Sequence, residues 1–188
     1  AEQLLQFALI GSVYCKSITG VRSPTTCLLN IGSEEIKGCA EVKLASELIK
    51  QQKNINYQGY IEADSLFQGE VDVVVCDGFV GNSVLKTAEG TIKMLFHLLR
   101  SEFNEHLTNK MRGLLAKPVL KNVYQYISPE VYNGSPLLGL QANVIKSHGG
   151  TSSKGFFHAI EKAQLIVEQQ LAQKISLGLK ALQVQPEA

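Results

Sequence analysis

Apolar residues recur at helical spacing from the start of the chain, at Leu4, Leu5, Ala8, Leu9 and Val13. Gly20 then supplies a stop, so a first helix is expected to end there. Pro24 opens a β-branched and apolar run over residues 25–31 that reads as a buried strand. A polar, glycine-containing turn covers 32–38. A helix over 39–52 follows, carrying Val42, Leu44, Ala45, Leu48 and Ile49. Residues 55–61 give a second strand, 63–69 a loop, and 71–76 a third strand of almost unbroken valine. Strand, helix and strand in alternation predict an α/β architecture with parallel pairing and right-handed crossovers.

The pattern changes after the third strand. Asp77-Gly78 and Gly81-Asn82 break the apolar run, and from Ser83 the period is helical to about Phe103, with Leu85, Ala88, Ile92, Leu95, Leu99 and Phe103 on one stripe. Two further amphipathic helices are expected over 106–116 and 119–127, divided by Pro118. Lys110, Arg112, Lys117 and Lys121 make this stretch basic, and no acidic residue lies between Glu105 and Glu130. Such a pair suits an anionic membrane surface, a dimer contact or an ordinary solvated face. Two short strands, 137–140 and 143–147, are expected next. After the turn His148-Gly149-Gly150, Ser152 is placed to cap a long helix with Phe156, Ile160, Ala163, Val167 and Leu171 on one face. Residues 176–188 read as a weakly patterned tail.

Composition alters this picture little. A chain of 188 residues with 45% hydrophobic and 19% charged residues can bury a core, and its net charge of +1 gives no general attraction to nucleic acid. No apolar run approaches a membrane span and no leader is evident, so a cytoplasmic location is expected. Cys15, Cys27, Cys39 and Cys76 form no CxxC pair, so neither zinc nor a disulfide framework is indicated. The chain starts at Ala1 inside a helical pattern, which suggests a piece of a longer protein.

Two strand-to-helix turns are the candidate chemistry. At the first, Asp77, Gly78, Gly81 and Asn82 precede a helix whose free N–H groups favour an anion, and Lys86 lies one turn further on. At the second, Lys146, Ser147, His148 and Gly149 combine a fixed cation with a side chain suited to proton transfer. Neither matches GxGxxG or the GxxxxGK[ST] phosphate loop. Each has a plainer reading: Asp-Gly is a common turn, Asn82 a helix cap, Lys86 a solvated charge. No GxSxG elbow or Cys–His arrangement points to a covalent nucleophile.

The ordered set of motifs is more specific than any one of them. Leu28-Leu29-Asn30-Ile31-Gly32, Glu34-Glu35-Ile36-Lys37-Gly38, Val73-Val74-Val75-Cys76-Asp77-Gly78-Phe79-Val80-Gly81-Asn82, Pro136-Leu137-Leu138-Gly139-Leu140 and Lys146-Ser147-His148-Gly149 occur in this order. The set resembles the bacterial phosphate acyltransferases of phospholipid synthesis, over nearly the whole chain to about Leu171, and corresponds to the C-terminal part of that family. The resemblance implies a Rossmann-like three-layer α/β/α sandwich, related to phosphate acetyltransferases and isocitrate-dehydrogenase-like enzymes, with a protruding helical hairpin at about 83–130. It implies one acyltransferase domain over 1–175, with its N-terminal portion missing and 176–188 as a tail.

The activity it implies is transfer of a fatty acyl group from acyl-[acyl-carrier protein] to inorganic phosphate, giving acyl phosphate. No cofactor and no metal are implied. His148, Lys146 and Asn82 are the expected catalytic residues. Asp77, Gly78, Gly81, Lys86, Ser147, Gly149, Asn30 and Gly32 are expected around phosphate or substrate. A homodimer is implied, and so is peripheral contact with the inner face of the cell membrane through Met111, Leu114, Leu115, Val119, Leu120 and Val123, near the downstream acyl-phosphate-using acyltransferase. A short-chain enzyme using coenzyme A thioesters, or a non-catalytic dimerising fragment, would share these features. Two departures from the family pattern stand out: Gln141-Ala142-Asn143 replaces a tight Asn-Gly turn, so a longer turn is expected there, and Cys39 replaces an Asn that could cap the following helix.

Overall fold

A computed structural model describes residues 1–127 and 132–183. The elements run α1 (Glu2–Thr19), β1 (Thr25–Leu29), α2 (Ala40–Lys50), β2 (Asn56–Ile61), β3 (Val73–Val75), α3 (Gly78–Glu105), α4 (Leu107–Ile127), β4 (Ser135–Pro136), β5 (Ile145–Lys146), α5 (Ser153–Glu168) and α6 (Leu171–Gln183). β1 lies at the centre of a three-stranded parallel sheet of order β2-β1-β3, and β4 and β5 form a separate antiparallel pair. The expected α/β class is therefore present. Parallel pairing explains the unbroken apolar strands: Thr26, Cys27 and Leu28 are all buried, as befits a strand covered on both faces.

Local chemistry fixes the register. Asp72, just before β3, accepts hydrogen bonds from the Thr25 amide (2.8 Å) and the Thr25 hydroxyl (2.8 Å), so the entrances of β1 and β3 are stapled together. Between β1 and β2 the register slips between Thr26 and Leu28. The extra residue falls beside Gly59, whose φ of 96° is open to glycine and rarely to other residues.

α1 carries the interior. Its Leu4, Ala8 and Leu9 join Leu28, Ala45, Ile49, Ile55 and Val75 in one buried cluster, while its Ile10 joins Ile166, Leu171 and Ile175 in a second. The helix stops as expected at Gly20, which takes the left-handed conformation (φ 77°). Cys39 stands at the N-cap of α2 without any side-chain cap bond, so the capping interaction an Asn would supply is absent.

Several expectations need correction. α3 begins at Gly78, not Ser83, because Asp77 caps it; Asn82 therefore lies inside the helix and is not its cap. Residues 107–127 form one helix with Pro118 in its interior, where two helices were expected. The helical pattern on both sides outweighs the one backbone bond that Pro118 removes. Residues 137–140 are not a strand. β4 lies before them, and Leu137 N–H bonds to Val144 O at 2.9 Å, so the connection is the longer turn that Gln141-Ala142 suggested.

On α5 the face is wrong. Phe156, Ile160 and Val167 are exposed, and the helix buries Gly155, Ala159 and Ile166 instead. Residues 176–183, expected as tail, belong to α6, where Leu171, Ile175, Leu179 and Leu182 repeat at helical spacing. Leu44 of α2 is exposed as well.

α3 and α4 pack on each other as the expected hairpin. Phe96 meets Tyr124 edge to face at 5.2 Å, and a Cβ on Gly113 would fall 2.9 Å from the Phe103 ring, so glycine lets the two helices close up there. No residue of either helix is fully buried.

Candidate functional site

Because β1, β2 and β3 are parallel, the chain leaves all three at one edge of the sheet. At that edge Asn30 follows β1 and is nearly buried; its Nδ2 donates to Lys37 O at 3.1 Å, closing the 32–38 loop over the strand end. Gly38 (φ 93°) passes so close that a Cβ there would overlap the Asn30 carboxamide. Gly32 is likewise crowded by Lys37, which pairs with Glu34 at 2.8 Å. The loop is thus a closed unit, with the Lys50–Glu35 pair (2.8 Å) bracing its far side.

After β3, the Asp77 carboxylate accepts from the amides of Phe79 (2.9 Å) and Val80 (3.0 Å). Two of the N–H groups that an anion would seek are therefore already satisfied by the chain itself. Gly81 lies within the first turns, where a Cβ would approach Cys76 Sγ at 3.0 Å. Burial is the main force raising the Cys76 thiol above its ordinary value, and the Asp77 charge adds to it. Asn82 projects from the exposed side of the helix. Lys86 does not stand alone: it pairs with Glu89 at 2.9 Å.

The second turn is tied down by a residue that sequence reasoning did not single out. Asn133 is 7% exposed. Its Oδ1 accepts from the His148 amide at 2.9 Å, and its Nδ2 donates to Ser147 Oγ at 2.9 Å and to Gly155 O at 2.8 Å. His148 Nδ1 accepts from the Gly150 amide at 3.2 Å, so in the neutral ring the proton sits on Nε2. Ser152 caps α5 as expected, accepting from the Gly155 amide at 3.3 Å. Lys146, on β5, is exposed and has no ion-pair partner among the described residues.

The hydrogen bond from Lys86 holds the Glu89 carboxyl below its ordinary range, and the charges of Lys86, Lys93 and His148 act in the same direction. Asn30 and Gly32 belong to the neighbouring loop on the same sheet edge; the structure records no bond from them to either turn. Among the described residues no group of three or more His, Cys, Asp or Glu side chains could hold a metal ion. A cavity of about 310 Å³ lined by Gln51, Gln52, Lys53, Asn54, Ala181 and Leu182 opens beside the start of β2, at the end of the parallel sheet opposite the Asp77 turn.

The hairpin presents its expected apolar positions outward. Met111, Leu114, Leu115, Val119 and Val123 are exposed, Leu115 by 81%, while Leu120 is half-buried. No helix among the described residues is long and apolar enough to cross a membrane.

Residues 1–174 match the fatty acid synthesis protein family. The chain belongs to that family. Relatives within reach of direct comparison include proteins called phosphate acyltransferase from Hydrogenovibrio crunogenus, 46% identical across 96% of this chain and 54% of the relative, and from Alcanivorax borkumensis, 47% identical across 94% of this chain and 52% of the relative. A Pseudomonas aeruginosa protein of the same name is 46% identical over 97% of the chain and 54% of its own length. The chain thus spans about half the length of these relatives and matches their C-terminal part. Family membership covers both candidate turns, the hairpin between them and Asn133.

Proposed function

We propose that the longer protein to which this sequence belongs transfers a fatty acyl group from acyl-[acyl-carrier protein] to inorganic phosphate, forming acyl phosphate for phospholipid synthesis. The observation that carries this is the 46–47% identity to proteins called phosphate acyltransferase across nearly all of these residues. The reaction needs little beyond positioning and charge. Phosphate is already a nucleophilic anion at neutral pH, so no covalent acyl-enzyme is required, and the site must hold phosphate against the thioester carbonyl.

In this reading the amide-rich start of α3, with Gly78, Gly81 and Asn82, faces the anion, and Lys86 exchanges Glu89 for phosphate. Phosphate oxygen bonds to the carbonyl carbon, the carbonyl oxygen gains charge, and the C–S bond breaks as it collapses. The sulfur leaves as a thiolate held by a hydrogen bond from His148 Nε2–H and takes up the proton that the attacking hydrogen phosphate brought with it, and Lys146 supplies fixed positive charge beside Ser147 and Gly149. The sheet would extend into a Rossmann-like α/β/α sandwich in the complete protein. The protein is a homodimer in the cytoplasm, and the exposed basic hairpin rests on the inner face of the membrane, where the product is consumed by an acyl-phosphate-using acyltransferase.

The test uses the chain completed to the length of its relatives. His148→Ala and Lys146→Ala are each expected to lower acyl phosphate formation at least tenfold; normal rates in both refute the site. Assay of acyl-carrier-protein against coenzyme A thioesters fixes the donor, and preference for a short coenzyme A thioester refutes the substrate assignment.

A further inference from the structure

We infer that Asn133 is a positioning residue for His148, holding the turn in the one shape that aims its ring. This rests on the functional reading given above. The side chain is 7% exposed and uses both amide protons and its carbonyl oxygen at once. Each bond goes to a different part of the site: the His148 backbone, the Ser147 side chain, and Gly155 in the first turn of α5.

The choice of residue follows from that geometry. Only an amide presents two donors and an acceptor at one terminus on so short a stem. Aspartate keeps the acceptor for the His148 amide but puts an anion against Gly155 O, and alanine leaves the buried Gly155 carbonyl, with the part-buried ends of the bonds to Ser147 and His148, to find other partners. The next residue reinforces the clamp. Gly134 has φ 91°, and a Cβ on it would lie 2.7 Å from Ala159 Cα, so the backbone just before β4 lies close against α5 where Asn133 reaches across. The His148 ring is in turn fixed by the Gly150 amide at 3.2 Å. Backbone and ring are held by separate bonds, so loss of Asn133 frees the peptide that carries the ring without touching the ring's own contact.

The experiment uses the completed chain carrying Asn133→Ala, His148→Ala or both, with acyl phosphate formation as readout. Asn133→Ala is expected to lower kcat about 10- to 100-fold, the scale of a misplaced catalytic group, while KM for phosphate stays within about twofold. In the His148→Ala background the same change should cost no more than about twofold, because nothing remains to be aimed. Unchanged kcat, or an equal loss in both backgrounds, overturns the role of Asn133 alone; full activity of His148→Ala overturns it together with the catalytic role of His148. Where circular dichroism shows that Asn133→Ala does not fold, amide exchange in the unmodified protein decides. The His148 amide should exchange at least about tenfold more slowly than that of Gly149, and equal rates overturn the inference.

Discussion

Asp77 offers a prediction in which stability and chemistry pull apart. Its carboxylate closes the start of α3 by accepting from Phe79 and Val80. Asp77→Ala removes both bonds, and loss of such a cap costs about 0.5–2 kcal/mol, centred near 1. A cost near 1 kcal/mol corresponds to about a fivefold rise in opening, since about 1.4 kcal/mol is tenfold. Amide exchange across the first two turns of α3, read by mass spectrometry, should therefore quicken about fivefold in Asp77→Ala. In Asp77→Asn it should change little, because Asn caps equally well.

Phosphate binding should respond in the other order. Both variants remove a negative charge from a helix N-terminus, where charge interactions run to about 0.3–1 kcal/mol. KM for phosphate should then fall about two- to fivefold in each, once activity is measured in the completed chain. Equal exchange in the Ala and Asn variants would show that the carboxylate does not act as the cap. A phosphate KM indifferent to both substitutions would remove the α3 terminus from the phosphate site.

Other expectations test the frame around it. Ile49 is fully buried between α1, α2 and the sheet, so Ile49→Ala should cost about 2–5 kcal/mol, visible as a lower urea midpoint. Asp72 is held below its ordinary range chiefly by the hydrogen bond from the Thr25 amide, and then by the Thr25 hydroxyl. A depressed carboxyl stabilises the fold at and above its ordinary value and loses that contribution as pH falls through the folded value; Asp72→Asn should flatten this acid limb of stability against pH, and an unaltered limb would refute the staple. For the hairpin, Leu114→Asp with Leu115→Asp should abolish co-sedimentation with anionic vesicles without lowering turnover in detergent, whereas retained binding would place membrane contact elsewhere.

Much of the fold was legible because parallel strands advertise themselves. The valine run at Val73, Val74 and Val75 and the stops at Gly20 and Asp77-Gly78 carry local signals that tertiary context does not overturn. Faces were harder. Phe156, Ile160 and Val167 form the more hydrophobic stripe of α5, yet burial went to Gly155, Ala159 and Ile166, and at Ala159 a small side chain lets the helix approach the backbone of Gly134 just before β4. Pattern ranks residues by how much they would gain from burial, and close packing also selects residues for how little room they take. Asn133 was illegible for a different reason. Its importance lies in three bonds to residues 14, 15 and 22 positions away, and no periodicity encodes them. The only local hint was the Asn-Gly pair itself, which reads as a turn. α6 escaped because Gln170, at φ 52°, breaks the helix and restarts its phase.

The hairpin has a consequence for how such a protein can vary. The chain departs at Asp77, runs out along the 28 residues of α3, and comes back along the 21 of α4, an excursion of about 40 Å at about 1.5 Å per residue. Everything that shapes the candidate turns lies at its root. Turns can therefore be added to or removed from both helices at the far end, around His106, in matched pairs, without shifting Asp77 or Asn133 by a residue. The outer reach of the molecule is free to drift in length and surface chemistry while the inner end keeps its register, so on the function proposed above a change of lipid or partner at the tip need not disturb the residues at the root.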